Sequence, residues 1–125
     1  MKSIVLGLSL ALSVVIACSS SDSTTSSSSS GTTPVTNGVT VSSNKFTPAS
    51  ITVKVGDTVT WTWAGGNHDV VSGANCTNDN VFTRSALQST NGATFTHTFT
   101  KAGSFEYFCE PHCVSAGMKG TVVVQ

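Results

Sequence analysis

The chain has 125 residues, with six basic against six acidic side chains, three histidines, four cysteines and only 10% charged residues. That length holds one ordinary domain, and a formal charge of zero provides no electrostatic footprint for nucleic acid. All nine aromatic residues lie between Phe46 and Phe108, so the first 45 residues have little to add to a core.

In chain order, Met1-Lys2-Ser3 brings one positive charge, and Ile4 to Ala17 is an apolar run broken only by Gly7, Ser9 and Ser13. As a helix that run covers about 21 Å, short of the ~30 Å hydrocarbon core, which disfavours a spanning helix. A charged start, a short apolar stretch and a small residue before a cut describe a secretory signal peptide over residues 1–17. Its end, Val15-Ile16-Ala17-Cys18, resembles the lipobox of bacterial lipoproteins. That likeness implies Cys18 as the lipid-modified first residue of the mature protein; an ordinary signal peptide followed by a chance cysteine is the alternative. Of residues 18–36, fourteen of nineteen are Ser or Thr. Such a stretch has nothing to bury, and a coil of that length reaches roughly 25 Å, which suits a tether between a membrane and residues 37–125.

From Asn37 onward the apolar residues alternate with polar ones. Ile51, Val53 and Val55 form one such row, Val59, Trp61 and Trp63 a second, and Phe95, His97 and Phe99 a third; Phe105, Tyr107 and Cys109 keep the same parity. Gly56-Asp57, Gly65-Gly66, Asn91-Gly92 and Ala102-Gly103 punctuate these runs as turns, and Thr121 to Val124 is the last strand. No window shows helical periodicity beyond a turn or two. The pattern predicts an all-β domain: seven or eight short strands in two antiparallel sheets packed face to face, with Greek-key connections.

Two segments carry chemistry. Gly65-Gly66-Asn67-His68-Asp69 places an imidazole after a glycine turn, and Cys109-Glu110-Pro111-His112 continues to Met118 on one loop before the last strand. A thiol, two imidazoles and a weak thioether make the donor set of a mononuclear blue-copper centre. His97, in an alternating strand between Phe95 and Phe99, reads as a packed side chain, and Trp61 and Trp63 as core anchors. A zinc site from Cys109, Cys113, His112 and His68 is a second possibility. A third is a binuclear copper centre on Cys109 and Cys113, which meets Gly117 where it needs another histidine. No Cys-x-x-Cys-His occurs, so c-type haem is excluded.

The runs from Gly56 to Trp63, His68 to Val71 and Gly103 to His112 are similar to the cupredoxin family, and the Trp-x-Trp-x-Gly-Gly-x-His run to its halocyanin-like, plastocyanin-type members. The likeness spans about Val39 to Val124. It implies a Greek-key sandwich holding one copper, with His68, Cys109 and His112 as equatorial ligands and Met118 as the axial one. It further implies a one-electron carrier serving transient redox partner proteins, a monomer with no open position for a substrate and hence no enzyme. Copper delivery or resistance, with the metal as cargo, is the alternative from another class. The chain departs from the plastocyanin pattern in three places. Five residues rather than four separate His112 from Met118, Asp69 stands where Asn is usual, and Glu110 replaces Ser or Thr. Two carboxylates there are expected to favour Cu(II).

With Cys18 assigned to lipid and Cys109 to copper, Cys76 and Cys113 remain. In an exported protein such a pair most simply forms a disulfide, and Cys113 directly after the loop histidine resembles the phytocyanins, where that cysteine pairs with one upstream. The lipobox likeness implies a bacterial protein, lipid-anchored on a periplasmic or cell-surface face.

Overall fold

The computed structural model describes residues 37–125. The signal segment, Cys18 and the Ser/Thr-rich stretch lie outside them. The alternation becomes burial: Val59, Trp61 and Trp63 are buried, while Thr58 faces solvent and Thr60 and Thr62 are half-buried between neighbours. They belong to β4 (Thr58–Trp63), in a chain whose other strands are β1 (Gly38–Ser42), β2 (Lys45–Thr47), β3 (Ser50–Val53), β5 (Val71–Ser72), β6 (Thr94–Thr98), β7 (Gly103–Phe108) and β8 (Lys119–Val124). A 3-10 turn (Glu110–His112) and the four-residue helix α1 (Cys113–Ala116) stand between β7 and β8.

Eight strands form two four-stranded sheets, in the orders β2-β1-β4-β6 and β3-β8-β7-β5. Each is mixed rather than antiparallel as the sequence predicted: β1 runs parallel to β4, and β3 parallel to β8. Alternation reveals which face of a strand is buried, but not the direction of its neighbour. Here β1 and β2 lie in one sheet and β3 opens the other, so β4 and β8 return beside strands laid down much earlier. Ser43 and Asn44, both at positive φ (50° and 58°), make the two-residue turn between β1 and β2.

The two inner faces meet in one core. Val39, Val41, Phe46, Val59, Trp61 and Trp63 come from one sheet, and Ile51, Val53, Tyr107, Val122 and Val124 from the other. Tyr107 bridges them edge-on, its ring centroid 4.7 Å from Phe46 and 5.3 Å from Trp61. Val55, expected to extend the Ile51–Val53 row, is instead 50% exposed. The turn closed by Asp57, whose backbone N–H donates to Lys54 O and whose carboxylate accepts from Lys54 N, swings the chain out before Val55 can face inward.

Residues 73–93 connect β5 to β6 and double back along the segment that carries His68. His68 and Gln88 exchange both backbone hydrogen bonds at 3.0 Å, and Ser85 accepts the Val70 N–H on its hydroxyl at 2.9 Å. Phe82 of this connection is buried in the main core. Phe108 points the other way from Tyr107 and is also buried, in a small second cluster with Val71, Cys76 and Cys113.

Candidate metal centre

His68 owes its position to its flanks. Gly65 and Gly66, at φ 142° and 82°, turn the chain out of β4. The His68 carbonyl then accepts from both Gln88 N and Trp63 Nε1. The glycine at 66 is required by space as well as by φ, because a Cβ there would stand 2.3 Å from His68 Nε2. His68 is 1% exposed, and Cys109, the residue after β7, is fully buried.

The segment from Cys109 to Met118 closes on itself. Cys109 N–H donates to Met118 O, Met118 N–H to His112 O, and His112 N–H to Cys109 O, at 3.1–3.2 Å. The residue that lengthens this loop is absorbed by α1. Gly117, at φ 64°, caps that turn by donating to Cys113 O, and returns the chain so that Met118 is buried in the same core cluster as Cys109. Cys76 and Cys113 are joined by a disulfide with Cα atoms 5.7 Å apart, which ties this loop to the connection after β5. The zinc and binuclear alternatives both need the Cys113 sulfur, and that bond removes it.

Three donor atoms converge. His68 Nδ1 and His112 Nδ1 are 3.2 Å apart, and Cys109 Sγ lies 3.6 Å from the first and 3.4 Å from the second. A point equidistant from three such corners is about 2 Å from each, the length of a metal–imidazole bond. His97 takes no part; it packs against Phe82 and Phe99 at the other end of β6, and burial holds its pKa below the ordinary value. Burial pushes the Cys109 thiol up to about 11, opposed by backbone N–H groups of Asp69 and His112 and reinforced by the Asp69 carboxylate. Burial and the neighbouring His112 charge hold His68 below its ordinary value against the pull of Asp69. The metal-free centre is therefore a neutral thiol facing a largely neutral imidazole, and a metal entering it displaces the thiol proton.

One participant was not foreseen from the sequence. Asp69 is fully buried, and its Oδ1 accepts the Glu110 N–H at 2.8 Å, bracing the loop as an asparagine would. Its Oδ2 accepts from Arg84 Nη2 at 2.6 Å, and that same nitrogen donates to Glu110 Oε2. Glu110 first and Asp69 second raise the Arg84 pKa still further, so the guanidinium stays charged. The signal for it in the sequence was thin: Arg84 is the sole arginine of the chain, set in a connection with no periodicity.

Comparison with known proteins agrees with this geometry. Plastocyanin of Scenedesmus fuscus is 41% identical over 88 residues, a match covering 64% of this chain and 86% of that one. Halocyanin of Natronomonas pharaonis is 43% identical over 82 residues, covering 64% of this chain and 48% of that protein. A purple cupredoxin from Nitrosopumilus maritimus shares the fold, with a TM-score of 0.59 at 23% identity over 70% of this chain and 98% of that chain. Residues 33–125 match the family described as copper binding proteins, plastocyanin/azurin family. A thiol and two imidazoles converging at the end of a β-sandwich suit that description, and the chain belongs to the plastocyanin/azurin family, with copper as its cofactor.

Proposed function

We propose that this is a type 1 (blue) copper protein that carries single electrons between redox partner proteins. His68, Cys109 and His112 would hold the copper through two imidazoles and a thiolate, with the Met118 thioether as a fourth, weaker donor. The observation that carries this reading is the triangle of Cys109 Sγ and two Nδ1 atoms with edges of 3.2–3.6 Å. When bound, copper supplies a one-electron couple between Cu(I) and Cu(II). The chain holds the donors still: His68 is clamped by Gln88 and Trp63, and the Cys109–Met118 loop by its own backbone hydrogen bonds. A frame that moves little when the charge changes keeps the reorganisation small. His112 is only half-buried, beside exposed Pro111, Ala116 and Gly117, and gives electrons their way out. Were the two imidazoles, the thiolate and the Met118 thioether all to bind, no coordination position would be left for a substrate, so we read a carrier rather than an enzyme.

The same proposal covers the rest of the chain: residues 1–17 an export signal, Cys18 a lipid anchor, residues 18–36 a tether, and residues 37–125 a monomeric copper domain outside the cytoplasm. The Cys76–Cys113 disulfide supports that compartment, because such bonds persist where thiols are oxidised. Contacts with partners are then brief and small, as electron-transfer encounters are.

The test is to add one equivalent of Cu(II) to the purified protein and record its visible spectrum. An intense thiolate charge-transfer band is expected, lost in Cys109→Ser and kept in Met118→Leu with an altered reduction potential. No band from the wild type, with Cys109 free, refutes the reading. Band and potential both unchanged in Met118→Leu remove Met118 from the site.

A further inference from the structure

We propose that Arg84 is a positioning residue of the copper centre, whose guanidinium pairs with Asp69 and Glu110 and sets the charge next to the ligands. The proposal rests on the copper reading above and concerns residues that reading leaves without a role. Asp69 follows His68 and Glu110 follows Cys109, so a carboxylate stands beside a residue of each ligand-bearing segment. Left alone, both would add negative charge at the centre.

They are not alone. One nitrogen, Arg84 Nη2, donates to both carboxylates. The division of labour at Asp69 is informative. Its Oδ1 takes the Glu110 N–H, which an amide oxygen would do equally well. Its Oδ2 sits where an amide would present a hydrogen-bond donor, and a fully buried carboxylate oxygen there demands a positively charged partner. Asp69 and Arg84 together therefore replace one neutral amide with a neutral pair. The pair differs from the amide in having an outlet, because the Arg84 side chain is 42% exposed and that of Glu110 60%. The charge felt at Cys109 is thus fixed by a contact that reaches the surface.

The sign follows from charge alone. Without Arg84 two carboxylates face the centre uncompensated, which favours the more positive oxidation state and lowers the reduction potential. The experiment uses the full chain with Arg84→Met, Arg84→Lys, Asp69→Asn and the double variant Asp69→Asn/Arg84→Met. At a fixed applied potential, Arg84→Met is expected to shift the Cu(II)/Cu(I) ratio about tenfold towards Cu(II), about 59 mV for a one-electron couple. The double variant has the same net charge at this trio as the wild type and should return to within about threefold of it. Arg84→Lys keeps the charge and should stay near the wild type. A ratio unmoved by Arg84→Met, or one that stays shifted towards Cu(II) in the double variant, overturns the proposal.

Should Arg84→Met bind no copper, urea denaturation of the four copper-free proteins decides. Asp69→Asn is expected to recover the stability lost in Arg84→Met, and no recovery overturns the proposal. A wild type without the blue band defeats the copper reading and this one with it. A normal band with a ratio that Arg84→Met leaves unmoved, or that the double variant does not restore, defeats this one alone.

Discussion

Two glycines show how little room close packing leaves. A methyl at position 66 meets the His68 ring, and one at position 120 would lie 2.3 Å from Tyr107 Cζ. Gly120 sits in β8 opposite Tyr107 in the register, and its missing side chain is what lets that ring lie between the sheets. Tyr107 packs edge-on against Phe46 and Trp61, and burial pushes its pKa up to about 12 against the opposing pull of the Trp61 side chain. Gly120→Ala is therefore expected to destabilise the fold by about 1–3 kcal/mol, read as a lowered urea midpoint. Gly66→Ala should act on the site, weakening copper retention against a chelator more than it lowers that midpoint. At this scale the meeting of His68, Cys109 and His112 was legible, because a thiol and an imidazole three residues apart, with a second imidazole after a glycine turn, are donors suited to one metal. Arg84 was not, because its contacts lie 15 and 26 residues away in sequence and no pattern marks them.

Among the elements, the loop from Cys109 to Met118 depends on a support far from it in sequence. The disulfide joins α1 to the connection after β5 across a separation of 37 residues. On the chain-entropy account, closing that loop contributes about 3–4 kcal/mol. Cys76→Ala/Cys113→Ala is expected to lose about that much in urea denaturation of the copper-free protein. A loss under about 1 kcal/mol would mean that the backbone hydrogen bonds of the loop suffice. The strands themselves were readable, since Val59, Trp61 and Trp63 can alternate with threonines only on a half-buried sheet. The parallel pairs β1–β4 and β3–β8 were hidden, because strand direction depends on how the chain crosses between sheets. So was α1, a single turn too short to leave a periodicity, although it accounts for the five residues that fit between His112 and Met118.

At the scale of the whole molecule, the low charge seen in the composition acquires a location. The outer face of the sheet holding β4 and β6 shows threonine opposite threonine: Thr58 by Thr98, Thr60 by Thr96, Thr62 by Thr94. The first pair is joined hydroxyl to hydroxyl at 2.7 Å. Such rows hold register through β-branched packing and neutral hydrogen bonds. Among the described residues both ion pairs belong to Arg84. Ionic strength is therefore a dial on the metal centre rather than on the sandwich. Added sodium chloride finds little to screen in the sheets, but it loosens the exposed arm between Arg84 and Glu110. The reduction potential should drift with salt while the urea midpoint stays nearly still, so the surroundings of the protein would tune its redox poise without touching its fold.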